Sequence, residues 1–533
     1  MRHLANNPTS RRKFIARSLA YGGLGYWVGT TSPITSANPE VNPDRLQQLR
    51  QKLQGRLVLP GDEHYDQAKR VFYWNPKTQR QPVAVVRCGA EEDVRHAVEF
   101  ARDHQLEVAV RGGGHAYLAW GSSDGIVIDL SALNQIKIDP DHRTAQLQGG
   151  VLAGELSRAA GKYGLVPVLG QCPGVGAAGV TLGGGLGWLS GLLGACCDHL
   201  RAASIVNANA EPIIANDETD AELLWGLRGA GANFGATTSL TLHLHPLDSV
   251  VAGDVHFSIA DAKTVLRGFH ELMHTAPDGF QANLNLTRGV AGAFISFCHV
   301  GPDPEAEKML DTIRAIAKTT KVDVKRQPFF NLAEKAAVTN PTDRPAPAYR
   351  AIQTVYRQGI TDEMIEILVD QLDGATPDAV FGLSHYMHGA VCRVRPDATA
   401  FPHRQAHSVH LRVAYNWSDP RENESRFAWG DRWLQALRPT TNESLYANFQ
   451  TYESDRGSAA LYGINHQRDN LSRTSTIADT PKVKVVLRRQ SVVSRPRLHD
   501  ADTHIDNRRV HESVGDCVRN RISRRAMECV KPL

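Results

Sequence analysis

One arginine, three glycines and a histidine in succession, Arg111-Gly112-Gly113-Gly114-His115, followed by Ala116 and Tyr117, make up the segment of this chain best suited to chemistry. Consecutive glycines adopt backbone conformations closed to other residues and bring N–H groups up to a ligand with no Cβ in the way, as successive amides around a diphosphate require. The imidazole ending the run stands beside whatever that turn holds. A second glycine-dense stretch, 170–187, carries Cys172, Val175, Gly176, Gly179 and Gly184, and a third, 225–235, ends in Asn233-Phe234-Gly235. Three such loops suggest one extended ligand touched at several points.

The elements that must position these loops follow from hydrophobic periodicity. A strand at 83–86, a helix over 91–104 with Val94, Ala97, Val98 and Ala101 on one face, and a strand ending at Arg111 open an α+β or α/β unit. Strands at 126–130 and 144–148, a helix over 152–163, a hairpin of 203–207 with 212–214, and an alternating strand at 238–245 complete it. From residue 249 the pattern changes to long helices such as 305–319 and 362–372, with strands near 294–299 and 409–415, as expected of a unit covering a substrate. Gly174 to Gly179 also fits the GxGxxG dinucleotide pattern, with Asp198 at a suitable distance. That fingerprint should open a helix, yet Gly183-Gly184-Gly185 follows at once, and each glycine in a helix costs about 1 kcal/mol against alanine.

Taken with Phe72-Tyr73-Trp74-Asn75, Pro82-Val83-Ala84-Val85-Val86 and Tyr446-Ala447-Asn448-Phe449, these segments resemble the FAD-linked oxidases with a PCMH-type FAD-binding domain, in the berberine-bridge-enzyme-like branch. The resemblance runs from about 65 to 468. It implies an α+β fold, with a two-subdomain FAD-binding domain at 45–248, a substrate-binding domain at 249–440 built as an antiparallel sheet covered by helices, and a segment at 441–468 returning to the FAD domain. It implies FAD attached covalently through His115 and Cys172, although the residues after the cysteine read Pro173-Gly174 before Val175-Gly176. Further flavin contacts carried over are Arg111, Gly112, Gly113, Gly114, Val175, Gly176, Gly179, Gly184, Asn233, Phe234, Gly235 and Asn465. The implied chemistry is oxidation of a hydroxyl by hydride transfer to flavin N5, with Tyr446 and Tyr117 as catalytic tyrosines and oxygen as acceptor. Val175, three residues after the cysteine, favours an oxidase over a dehydrogenase. A sugar, oligosaccharide or secondary metabolite is the expected substrate, and a flavin-holding protein without turnover is the alternative from another class.

Composition narrows the rest. With 60 basic and 56 acidic residues the formal charge is +4, so nothing calls for nucleic acid. The eight cysteines are too sparse for a disulfide framework and show no metal-ligand spacing; Cys196-Cys197 reads as two small packed residues. Residues 1–37, with Ser10-Arg11-Arg12-Lys13-Phe14-Ile15 and Thr35-Ser36-Ala37, read as a twin-arginine signal, implying a partner in the export machinery, an exported protein and no stable membrane anchor. Residues 469–533 depart from the family as an arginine-rich, aperiodic tail, expected to be disordered. Arg393 and Arg404 are candidates for a substrate anion, although salt-bridged surface is the commoner fate of arginine.

Overall fold

A computed structural model describes residues 41–289, 291–334, 349–438, 444–451 and 458–468. The expected signal at 1–37 and the basic tail at 469–533 lie outside the described residues. Among the described residues, seventeen strands form three sheets. The first joins β1 (Arg56–Val58), β2 (Ala84–Arg87), β3 (Val108–Arg111) and β4 (Ile126–Asp129) in the order β1-β2-β4-β3, with β4 parallel to both β2 and β3. The buried run Ala84-Val85-Val86 and all of β4 are apolar up to Asp129, as strands covered on both faces must be. The helix Glu91–Asp103 lays Val94, Ala97, Val98 and Ala101 against them.

The second sheet contains β5 (Ile136–Asp139), β6 (Thr144–Gln148), β7 (Leu165–Pro167), β8 (Leu200–Val206), β9 (Pro212–Asn216) and β10 (Ala236–Pro246). Strands β8 and β9 pair as the expected hairpin, and both β6 and β8 flank β10. The helix Ala177–Leu182 does open directly after Gly176, contrary to the sequence expectation, but it runs six residues and stops at Gly183. The strand before it, β7, is antiparallel to β10. A dinucleotide fingerprint needs a parallel strand feeding a longer helix, so that reading fails.

The third sheet is antiparallel throughout, in the order β14-β11-β13-β12-β16-β17-β15. Its strands are β11 (Ser249–Phe257), β12 (Phe280–Leu286), β13 (Ala293–His299), β14 (Thr319–Pro328), β15 (Tyr349–Gln358), β16 (Val380–Ser384) and β17 (Ser408–Trp417). The helix expected over 305–319 ends at Arg314, because Thr319 to Val324 alternates β-branched and charged residues and pairs with β11 instead. Helices Ala262–His274 and Asp362–Asp373 cover one face, against Phe280, Leu284, Leu383, Leu411 and Val413. The opposite face carries buried polar residues along β12, β16 and β17, among them Gln281, Asn283, Asn285, Ser384, Ser408 and His410, a combination that alternation alone does not require.

Candidate active site

Strand β3 ends at Arg111 and delivers the glycine run. A Cβ on Gly113 would stand 2.2 Å from the N of Gly176, and one on Gly176 would stand 2.5 Å from the N of Gly113. The His115 loop and the Cys172 loop therefore abut backbone to backbone, and only glycine at both positions permits it. Gly114 has φ +66°, the left-handed region that glycine occupies at no steric cost. His115 Nδ1 lies 2.9 Å from the Gly113 carbonyl, and since a carbonyl only accepts, that nitrogen carries the proton in this arrangement. The ring stacks on Phe72 with centroids 4.0 Å apart.

Cys172 is exposed, whereas Cys88, Cys196, Cys197 and Cys298 are buried free thiols. Its neighbour Gln171 exchanges two amide hydrogen bonds with Asn283 of β12: Nδ2 of Asn283 donates at 2.7 Å and Nε2 of Gln171 at 3.3 Å. This pair ties the cysteine loop to the polar face of the third sheet.

Aromatic rings line the same region. Tyr73 meets Tyr117 edge-on at 4.6 Å, Tyr117 stacks on Phe449 at 5.5 Å, and Phe449 lies 5.2 Å from Tyr446. The Tyr446 hydroxyl accepts hydrogen bonds from the Gly185 N–H at 2.8 Å and from Asn448 Nδ2 at 3.0 Å. Asn448 also donates to the Val180 carbonyl, and Gly183 must lack a Cβ because one would sit 2.0 Å from Asn448 Oδ1. Burial pushes the hydroxyl pKa of both Tyr446 and Tyr117 above the ordinary value of 10.0. Both tyrosines are therefore protonated at neutral pH.

The polar face of the third sheet supplies groups that the sequence reading did not identify. In register, Ser384 pairs with His410 and His410 with Tyr356; Gly382 pairs with Arg412 and Arg412 with Thr354. His410 is buried with neither ring nitrogen hydrogen-bonded, and its ring stands 5.1 Å from Tyr446. An unsatisfied buried polar group costs roughly 1–3 kcal/mol, which a bound ligand can recover. His385, at the end of β16, has φ +53°, a strained conformation for a non-glycine residue of the kind that gathers at functional sites. Burial holds the His385 pKa down at about 3 and that of His410 well below 6.5, so both rings are neutral.

On the opposite side, the hydroxyls of Ser122 and Thr237 are also buried without partners. Thr237 is reached from Gly112 through Gly149, whose carbonyl lies 2.8 Å from where a Gly112 Cβ would be. A cradle of glycines, an exposed thiol and unmatched buried polar atoms on two sides fit a large ligand bearing both phosphate and heteroaromatic edges. Residues 82–216 match the FAD binding domain family. Among curated relatives, an uncharacterized FAD-linked oxidoreductase, YgaK, of Bacillus subtilis is 27% identical over 445 residues, covering 81% of this chain and 96% of its own. The (R)-6-hydroxynicotine oxidase of Paenarthrobacter nicotinovorans is 31% identical over 276 residues, covering 50% of this chain and 59% of its own. Among solved structures, Physcomitrella patens BBE-like 1 superposes with a TM-score of 0.73 at 22% identity, covering 81% of this chain and 96% of its own. The chain carries an FAD binding domain, is similar to FAD-linked oxidoreductases, and shares the fold of the BBE-like structure.

Within this FAD-linked oxidoreductase, several residues expected at the flavin have their side chains committed elsewhere. The Arg111 guanidinium donates to Asp129 at 2.9 Å and to the carbonyls of Ala68 and Arg70, inside the first sheet. Asn233 Nδ2 donates to Ala230 O and the Tyr462 hydroxyl, and Phe234 packs under Gly226. Asn465 Nδ2 donates to the carbonyls of Pro396 and Thr399, and so reaches back to that loop. Val175 packs against the apolar residues of the second sheet, among them Leu147 and Leu240, while an added Cβ at Gly179 would meet nothing within 4 Å. Arg393 and Arg404 are not anion sites: Asp278 pairs with the first at 2.5 Å, and Asp198 pairs with both outer nitrogens of the second. Among the described residues no group of histidine, cysteine, aspartate and glutamate is placed to hold a metal, and no helix is long and apolar enough to cross a membrane.

Proposed function

We propose that this oxidoreductase removes hydride from the hydroxyl-bearing carbon of a sugar, oligosaccharide or similarly hydroxylated secondary metabolite, with FAD bonded to both His115 and Cys172 and molecular oxygen as acceptor. The Gln171–Asn283 amide pair carries this reading. It seats an exposed thiol against a sheet face of amides, hydroxyls and neutral imidazoles, groups that bind hydroxyls directionally. When bound, FAD supplies the hydride acceptor and the route of electrons to oxygen.

The chain's own part is to orient the alcohol and take its proton. Neutral His410, with both ring nitrogens unpaired, is the acceptor. Tyr446, itself protonated and with its ring 5.1 Å from that of His410, relays the proton, passing its own to His410 as its oxygen receives that of the alcohol. The Tyr117 hydroxyl, joined to Tyr73 through the ring contact, closes the other end of the aromatic row. Two loops fixed by the Gly113–Gly176 contact would hold the flavin by bonds, leaving the face of the third sheet open to a wide substrate.

The test is a panel of alcohols and oligosaccharides under air with hydrogen peroxide measured, together with a spectrum and peptide mass of acid-precipitated protein. Turnover without peroxide points to a dehydrogenase; flavin without turnover on the panel points to a binding protein. The twin-arginine segment supports export of the folded, flavin-loaded protein. Arg11→Lys with Arg12→Lys should trap precursor inside the cell, and normal export of that variant would remove this part of the reading.

A further inference from the structure

Arg412 is a half-buried cation with no acidic partner. Among the described residues its guanidinium forms no ion pair, and its side-chain hydrogen bond goes to Asn285 Oδ1 at 3.2 Å. Of the other arginines near this region, Arg393 pairs with Asp278, Arg404 with Asp198 and Arg111 with Asp129, while Arg350 donates to Asn416 Oδ1 at 2.9 Å and lies over the Phe72 ring. Gly382, directly across the ladder, makes room for the guanidinium, since a Cβ there would stand 2.6 Å from Arg412 Nε. Glycine on one side and an asparagine oxygen on the other fix a planar donor fork on the polar face.

The surroundings add no compensating charge. Strands β12, β15, β16 and β17, which are consecutive neighbours in the sheet, contain no aspartate or glutamate. A cationic substrate would find nothing there to pair with. Arg350, on the same face of β15, is a second cation, turned towards Asn416 and Phe72, and Asn283, Asn285, Thr354, Ser384 and His410 are uncharged hydrogen-bonding groups. Arg412 is near enough to Tyr73, Tyr117 and His385 for its charge to act on all three, which places it on the ligand side of the sheet.

We propose that Arg412 is the specificity-determining residue of this site, pairing with a carboxylate of a polyhydroxylated acid of the uronic or aldonic acid class while the amides of β12 take its hydroxyls. The proposal rests on the alcohol-oxidising reading above. A guanidinium matches a carboxylate with two parallel N–H···O bonds, and such charge-assisted pairs are the stronger kind of hydrogen bond. The flavin's own electron-rich ring edge is the rival anion, and the experiment separates the two.

The holoenzyme is assayed with D-glucuronate and D-glucose, which share the same anomeric hydroxyl, in the parent protein, Arg412→Gln and Arg412→Lys. Sulfite affinity for the oxidised flavin is measured in each, as a report of positive charge at the ring. The parent should prefer glucuronate in kcat/KM. Arg412→Gln should collapse that preference by about 10- to 100-fold, the range for losing a charged hydrogen bond, mostly through KM; Arg412→Lys should restore part of it. Unchanged sulfite affinity in Arg412→Gln supports the proposal. Equal use of both sugars by the parent overturns it, as does an equal loss on both sugars accompanied by weakened sulfite binding, which assigns Arg412 to the flavin. If neither sugar is turned over but glucuronate perturbs the parent flavin spectrum and not that of Arg412→Gln, the role of Arg412 stands and the oxidase reading falls.

Discussion

The Tyr446 hydroxyl accepts a hydrogen bond from the backbone N–H of Gly185 at 2.8 Å, across 261 positions of chain. Gly185 has φ +77° and is held in turn by Cys196, whose N–H donates to the Gly185 carbonyl at 2.9 Å. The tyrosine is thus fixed by the second glycine loop as well as by Asn448 of its own segment.

Tyr446→Phe should therefore keep the ring's packing while removing the oxygen. Anaerobic stopped-flow reduction of the flavin should slow by about 10²- to 10⁴-fold, the usual contribution of a positioned acid or base, with flavin content and reoxidation by oxygen unaffected. A reduction rate within about threefold of the parent, far below that range, would reduce Tyr446 to a packing residue and move the search to His410.

Flavin should remain with the denatured polypeptide. His115→Ala and Cys172→Ala should each leave one attachment, visible as flavin mass on the peptide carrying the other residue, and the double variant should release FAD on acid precipitation. Release from the unmodified protein contradicts bicovalent attachment; retention in the double variant means that other residues carry it.

Arg111 and Asp129 form a pair in which both side chains are almost wholly buried. Burial alone would raise the Asp129 pKa, but Arg111 and Ser131 hold it below the ordinary range. Arg111→Met should destabilise the fold by up to about 3–5 kcal/mol because it leaves the buried carboxylate with only the longer Arg87 contact at 3.6 Å, whereas replacing both partners with apolar residues of similar size should cost much less. Denaturant midpoints of the single and double variants provide the check; equal losses would contradict the buried-pair account.

His403 donates from Nε2 to the Leu461 carbonyl at 3.0 Å and is held by burial at a pKa of about 4. The folded ring stays neutral where the unfolded one, with a pKa near 6.5, takes up a proton. Its stabilising effect is complete above pH 6.5 and declines as pH falls towards 4, at roughly 1.4 kcal/mol per pH unit. His403→Gln should flatten the loss of unfolding free energy between pH 7 and pH 5. An unchanged slope would show that His403 does not contribute to it.

What could be read from the sequence divides along one physical line. The glycine loops were legible because the residues that need each other, Gly112 to His115 or Cys172 to Gly176, are neighbours in the chain. The commitments of Arg111 to Asp129 and of Asn465 to Thr399 were not, since each partner is chosen by strand pairing or chain return. Strand β12 carried a visible signal in the strict alternation Phe280-Gln281-Ala282-Asn283-Leu284-Asn285-Leu286, with amides on one side, yet the sequence reading assigned no strand there. His410 and Arg412 fall within a predicted strand, but their importance comes from Ser384, Gly382 and Tyr356 opposite them, and a single sequence does not disclose register.

The abutment of Gly113 and Gly176 also limits how such a protein can diversify. Because the two loops share a surface with no side chain between them, an insertion or a larger residue in either displaces the other, and with it the second proposed anchor. New substrates are more easily reached through the side chains of the third sheet, where positions other than Asn283, which is bonded to Gln171, can change without disturbing the turns. A directed-evolution library confined to β12, β15, β16 and β17 should therefore yield far more flavin-loaded variants than one of equal size spread across 112–115 and 172–176.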